Sequence, residues 1–404
     1  MATQTAAVSQ ALEKLLSVAV KMGASDIHLK AGSVPRARVD GELVSFGSDK
    51  PVAADLIRKW TEHMTSQASF RELLEEREVD FAYQVPGMAR FRVNAHHQRG
   101  AMGLVMRIVP QVVRGVVELG LPDVLNTICE AKRGLILVTG ATGSGKSTTL
   151  AAMVDHVNAV GAVNIVTIED PIEFAFRDKV ATIVQREVGM DTKSFAKALR
   201  SALRQDPDVI LIGEMRDLET IEIALTAAET GHLVFSTLHT SSAVETVSRV
   251  ILAFPPHQQE NARRQLANTL LAVVTQRLVP SKDGGRVAAC EILRTSSRVR
   301  ELIVDAERTL EIHESMEQNQ VTLGTQSFDQ ALMNLMNNGK ITREVALSFA
   351  DSPDDMRLRM EGVSSSTDAG YAPAKSPSAN ADRSRGHGMN PKSREADDDG
   401  IERF

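Results

Sequence analysis

Apolar residues at Val8, Ala11, Leu12, Leu15, Leu16, Ala19 and Met22 recur at helical spacing, which predicts an amphipathic helix ended by Gly23. The rhythm then shortens. Asp26 to Lys30, Ala37 to Asp40 and Glu42 to Phe46 read as strands, and Asp40-Gly41 marks a hairpin between the last two. A polar helix is predicted from Val52 to Glu76. Beyond it, Phe81 to Val85, Ala89 to His96 and Met102 to Val109 alternate as strands, the first two joined at Pro86-Gly87. Residues 1–112 therefore read as a small α+β domain on an antiparallel sheet.

The stretch Gln111 to Glu118 is a connector, with a linker placed at 113–118. After it the apolar runs become continuous: Leu135 to Thr139, Asn164 to Ile168, Val209 to Ile212 and Leu233 to Leu238, mostly separated by helical segments. Runs of this kind are strands buried on both faces of a parallel sheet. From Val287 to Met360 the pattern turns mostly helical, clearest at Arg298 to Ala306, Phe328 to Asn337 and Thr342 to Ala350. Thr342 is a cap for the last of these, and Gly339 a stop for the one before. Residues 119–362 thus read as an α/β core with C-terminal helices. In 363–404 the composition shifts to Ser, Ala, Pro, Gly, Asn and mixed charge, too apolar-poor to offset ordering entropy, which predicts a disordered tail.

Charge and cysteine usage remove several classes. The net charge of −6 argues against a chain devoted to gripping nucleic-acid phosphates. Cys129 and Cys290 are far apart and form no CxxC pair, so neither a disulfide framework nor a common zinc module is expected. The N-terminus lacks the basic-then-apolar pattern of a signal peptide, and no apolar run reaches the ~18 residues of a membrane span. A cytoplasmic location is the expectation.

The segment Gly140-Ala141-Thr142-Gly143-Ser144-Gly145-Lys146-Ser147 satisfies GxxxxGK[ST], between the apolar run Leu135 to Thr139 and the helix-prone stretch that Thr148 opens. That strand–loop–helix context is what makes the motif specific. The glycines let successive N–H groups face phosphates, and the helix N-terminus adds its dipole. Lys146 suits the β- and γ-phosphates of ATP, and Ser147 supplies an oxygen to Mg²⁺.

Hydrolysis also needs carboxylates, which in open α/β sheets sit at the carboxyl ends of strands. Glu214 ends the run Val209 to Gly213, while Glu169, Asp170 and Glu173 follow Ile165 to Ile168. Asp170 precedes a proline and could equally form a turn. His232 opens a buried strand and His239 closes it, which puts His239 with the other strand ends. A structural role is an equal reading for His232. Arg92 and Arg107 alternate with apolar neighbours on two strands of the first domain, where a solvent-facing charge is the plainer reading. Arg200 and Arg204, four apart, share a helix face that could simply be exposed.

These residues carry a resemblance. Gly140 to Thr149, Ile168-Glu-Asp-Pro-Ile-Glu-Phe174, Leu203 to Asp217 and Thr230 to His239 resemble the Walker A, Asp box, Walker B and His box of the secretion-superfamily hexameric ATPases, in their pilus-retraction branch. Ala24-Ser-Asp-Ile-His-Leu-Lys and Ala89-Arg-Phe-Arg-Val-Asn resemble the branch's PAS-like N-terminal domain. The match runs from about Met22 to Met360. It implies a RecA-like core behind that domain, and a homohexameric motor hydrolysing ATP to retract a type IV pilus. It implies Glu214 as the catalytic glutamate, with Glu169 and Asp170 shaping the metal and water network. His239 and His232 would couple nucleotide to the subunit interface, Arg92 and Arg107 would swing onto the nucleotide, and Arg200 and Arg204 would line the interface. The implied partners are a PilC-like platform protein of the inner membrane, to which the motor is peripheral, and a paralogue of the same branch. Ala141 stands where the family usually has Pro. Arg298 to Asp305 matches the branch's retraction-linked helix only in part, and Ala350 to Arg359 looks more like an accessory member. Assembly and type II secretion ATPases usually carry a longer N-terminal region and a tetracysteine zinc module.

Overall fold

The structure is a computed structural model that describes residues 2–362; the tail predicted at 363–404 lies outside the described residues. Helix Ala2–Lys21 leads into β1 (Asp26–Lys30), β2 (Arg36–Val39) and β3 (Glu42–Ser45). Asp40 and Gly41 both take positive φ, 49° and 88°, the turn geometry that matches strand twist in a two-residue hairpin. The predicted helix Val52 to Glu76 is instead two, Ala54–Met64 and Gln67–Glu76. Thr65 is extended, and the Ser66 hydroxyl accepts from Ser69 N–H, so a new N-cap interrupts the helix. After β4 (Glu78–Val85), β5 (Ala89–Gln98) and β6 (Ala101–Val109), the six antiparallel strands lie in the order β3-β2-β1-β6-β5-β4.

One face of this sheet, with Phe91, Val93, Leu104 and Met106, packs on Leu12, Leu16, Ile57 and Trp60 of the helices. The alternation places Arg90 and Arg92 on the other face, and register sets Arg92 opposite Arg107 and Arg107 opposite Asp26.

The second sheet comprises β7 (Gly134–Thr139), β8 (Asn164–Glu169), β9 (Thr182–Glu187), β10 (Val209–Ile212), β11 (Leu233–Leu238), β12 (Leu270–Pro280) and β13 (Arg286–Arg294). Their order is β13-β12-β7-β11-β10-β8-β9, parallel except for β13. Every residue of β7, β10 and β11 is buried, because helices cover both faces. Two edges were not expected. β9 is polar and half exposed, which hides it from an apolar-run criterion. β13 lies where the pattern had turned mostly helical; its buried core from Ala288 to Leu293 completes the sheet before the C-terminal helices begin. Helices Phe328–Asn337, Arg343–Phe349 and Pro353–Met360 then pack on β12 and β13 through Phe328, Val279 and Ala289. Gly339, at φ 69°, follows the first of them, and the Thr342 hydroxyl caps the second by accepting from Val345 N–H.

Candidate functional site

The carboxyl ends of β7, β8, β10 and β11 open into a cleft of about 800 Å³. Its floor is the loop after β7. Gly140, Gly143 and Gly145 there have φ of 137°, 79° and 92°. A Cβ on Gly140 would sit 2.4 Å from the Gln276 carbonyl oxygen, so the β12 backbone excludes any side chain there, while at Gly145 the positive φ is what favours glycine. Helix Lys146–Val160 starts at Gly145 with no side chain capping it. Helices Phe195–Ala202, Leu218–Glu229 and Ala243–Leu252 are all capped, by Ser194, Asp217 and Ser242. The uncapped N-terminus at the cleft floor leaves N–H groups and dipole available to an anion. Ser144 Oγ is buried there without a hydrogen-bond partner.

Lys146 is 9% exposed and its ammonium donates to the carbonyls of Gly140 at 2.9 Å and Ala141 at 3.0 Å. Burial holds it below the ordinary lysine range, while Glu214 pulls it back up. Thr142, Ser147 and Thr148 join Lys146 on the cleft wall. This loop fits a phosphate chain. Among the described residues no group of three His, Cys, Asp or Glu could hold a metal by itself. Mg²⁺ needs none, because it is commonly held by a hydroxyl, phosphates and water.

Glu214 follows β10 and Gly213. Its turn is pinned: Gly213 N–H donates to Ile168 O at 2.7 Å, and Thr237 Oγ1 donates to Gly213 O at 2.6 Å. The Glu214 carboxylate meets Arg216 Nη2 at 2.5 Å and His239 Nε2 at 3.6 Å. Glu169, at the end of β8, accepts from Thr167 Oγ1 at 2.7 Å, Gln185 Nε2 at 3.0 Å and Glu173 N–H at 3.4 Å. Burial raises its carboxyl above the usual range against those bonds. Asp170 is exposed on the same wall.

The N-terminal sheet closes the other side with Ser25, Arg107, Ile108 and Pro110. Arg107 Nε donates to Asp26 Oδ1 at 2.8 Å, and its side chain is 66% exposed. Burial pushes the Asp26 carboxyl up, but the bonds from Ser25 and Arg107 outweigh it and hold the group below its usual range.

The structure does not bring Arg92 or His232 onto the walls of this cleft. Arg92 is exposed on β5. His232 is at the far end of β11, its Nδ1 2.9 Å from Ala227 O. Arg200 and Arg204 line a separate groove with Arg186, Lys193 and Lys197, and Arg200 pairs with Glu219.

Three contributors escaped the sequence reading. Arg286, from the start of β13, lines the cleft, and Gln276 of β12 accepts from Thr149 Oγ1 at 2.7 Å behind the loop. Arg90 reaches across to the core, 2.9 Å from Glu187. Arg90 alternates with Arg92 on one strand, which was a usable signal; Arg286 and Gln276 depend on β12 and β13, which were not recognised.

A glycine-cradled, uncapped helix N-terminus with a buried lysine, at the strand ends of a parallel sheet, defines a P-loop nucleotide-binding protein. The sequence model of the type II/IV secretion system protein family matches residues 1–284. The chain belongs to that family. It is 45% identical to the type IV pilus retraction ATPase PilT of Pseudomonas aeruginosa, over 85% of this chain and 99% of that protein. It is 40% identical to the type IV pilus ATPase PilU of the same organism, over 89% and 93% of the two chains. A crystal structure of the pilus retraction motor PilT with bound ADP superposes with a TM-score of 0.76 at 45% identity, over 83% of this chain and 96% of that one. Among the described residues no helix is long and apolar enough to cross a membrane.

Proposed function

We propose that this chain hydrolyses Mg-ATP and, as a homohexameric ring, powers type IV pilus retraction. The observation that carries the ATPase reading is Glu214, a strand-end carboxylate on the wall of the cleft that also holds the phosphate loop, with His239 at 3.6 Å. Loop N–H groups and Lys146 bind and orient the phosphates. Mg²⁺, when bound to Ser147 and the phosphates, neutralises developing charge. Glu214 takes the proton from the attacking water, and His239 holds that carboxylate in position. Glu169 and Asp170 order the polar wall beside it, and Arg107 brings positive charge from the N-terminal sheet. Arg92, outside the cleft here, would reach the nucleotide only when the N-terminal sheet moves, and His232, Arg200 and Arg204 are assigned to contacts between subunits.

Retraction is supported by likeness to PilT along nearly its whole length. Type II secretion relatives are matched over little more than half of theirs, as with 55% of the Aeromonas hydrophila type II secretion system protein E. The motor sits at the cytoplasmic side of the inner membrane on a PilC-like platform protein. A PilU-like accessory role is the second reading, because the PilU match covers slightly more of this chain.

Counting surface pili in cells carrying Glu214→Gln separates these readings. Abundant pili that do not shorten are expected. Bald cells mean an assembly motor, and abundant pili that retract normally mean an accessory copy.

A further inference from the structure

Glu291 lies on β13, outside the cleft and 1% exposed, where three parts of the molecule meet. One carboxylate oxygen accepts from the backbone N–H of Ala243 at 2.5 Å. Ala243 opens helix Ala243–Leu252, only four residues after His239. The carboxylate thus caps, beside Ser242, the helix on which the His239 loop hangs. Glu291 also stands directly opposite Thr275 across the β12–β13 hairpin, where the Thr275 hydroxyl favours the ionised carboxylate. Thr275 Oγ1 in turn accepts from Thr139 Oγ1 at 2.9 Å, and Thr139 is the residue immediately before Gly140 of the phosphate loop. Thr246 Oγ1 stands 3.5 Å from Thr139 Oγ1 and 2.6 Å from Thr240 Oγ1, which closes the network back onto the residue after His239.

The third part is the C-terminal helices. Arg277, on the same face of β12 as Thr275, bonds Asp351 at 2.7 Å and Phe349 O at 3.2 Å, and its guanidinium stacks 3.8 Å over Phe328. Arg277 and Asp351 are the charged groups whose fields reach Glu291, with opposite effects.

A buried carboxylate is an expensive way to fill this space. An amide of the same shape would be desolvated at lower cost and would still accept from Ala243. What the amide loses is the ability to be an acceptor on both arms at once, since one end of it is a donor. We infer that Glu291 is a positioning residue for ATP turnover, holding the His239 loop and the phosphate loop in fixed relation. This rests on the ATPase reading above. The ionised carboxylate is the form that the Ala243 N–H and the Thr275 hydroxyl both favour. Burial pushes its pKa up to about 7, so the working form is half-populated near neutrality.

The test is Glu291→Gln in the purified full-length protein, with melting temperature, ATP KM, kcat and the pH dependence of kcat measured together. Melting temperature and KM should stay near wild type while kcat falls between about ten- and a hundredfold, the cost of a small misplacement. Wild-type kcat should rise with pH through about 7, and that rise should vanish in Glu291→Gln. Thr275→Val, which removes the hydroxyl facing Glu291 and with it the acceptor of Thr139 Oγ1, should lower kcat in the same direction. An active wild type matched in kcat and pH profile by Glu291→Gln overturns the inference alone. So does a loss of kcat that follows loss of melting temperature and of ATP binding together. A wild type that hydrolyses no ATP overturns the ATPase reading and this inference with it.

Discussion

The two walls of the cleft are built differently. On the core side, the lysine, Glu169 and the Glu214 turn are fixed by the fold. Lys146 is buried, Glu169 accepts three hydrogen bonds, and the Glu214 turn is held by Ile168 and Thr237. On the N-terminal side, Arg107 lies along the surface of its own sheet, two-thirds exposed and paired with Asp26 on the neighbouring strand. The core wall is preorganised for phosphates, whereas the other presents a charge that has a local partner and must leave it to reach anything bound. The difference separates binding and chemistry, built into one sheet, from a contact that depends on how the N-terminal sheet sits over it. Arg90 to Glu187 and the bond from Ala175 N–H to Pro110 O, at 3.0 Å, are among the ties that set that seating.

The comparison breaks first if the core wall is not the seat of binding. Lys146→Ala removes the buried ammonium and leaves the N–H cradle. ATPase kcat/KM should fall by about a thousandfold, with ATP affinity falling too, read by steady-state kinetics and nucleotide titration. Activity near wild type would move the phosphate site elsewhere. Glu214→Gln probes chemistry on the same wall. Turnover should fall at least about a hundredfold while nucleotide binding survives, because the amide keeps the shape and loses the base. Binding lost along with turnover would recast Glu214 as a metal-shell residue.

How well each wall could be read from sequence follows from the same contrast. The phosphate loop is contiguous, so spacing, the apolar strand before it and the helix after it suffice. Glu214 and His239 were placed by the rule that chemistry sits at strand ends, because β10 and β11 are apolar throughout. Arg107 and Arg92 look identical in sequence, each alternating with apolar neighbours. Register separates them: β6 puts Arg107 beside Asp26 and on the cleft, while Arg92, opposite it on β5, does not line the cleft. Glu291 was invisible for a related reason. Its strand opens a stretch whose pattern is mostly helical, and its neighbours Ala243 and Thr275 are distant in sequence.

The N-terminal wall is tested by Arg107→Ala. If its contact forms mainly when the N-terminal sheet closes over bound nucleotide, kcat should fall by at least about tenfold with ATP affinity changed far less. Equal losses in both would show that Arg107 already touches the nucleotide in the resting arrangement. The walls would then be alike, and the comparison would fail.

The smallest effect concerns the partner Arg107 must leave. Asp26→Asn removes the carboxylate that holds the guanidinium along the sheet. Because Arg107 is largely exposed, the pair contributes at most about 1 kcal/mol, so the melting temperature should drop only slightly. The folded Asp26 carboxyl titrates below its unfolded value. The pair's stabilisation is therefore complete above the unfolded Asp range near about 4, and is lost as the pH falls through the folded value. Asp26→Asn should remove that acid-side increment of pH dependence and leave neutral-pH stability nearly unchanged. Its kinetic sign is the sharper reading. Freeing Arg107 lowers the cost of moving it onto the nucleotide, so kcat in Asp26→Asn should equal or modestly exceed wild type. A clear fall in kcat would mean that Asp26 aims Arg107 at the cleft rather than holding it back, and the resting arrangement would then be the working one.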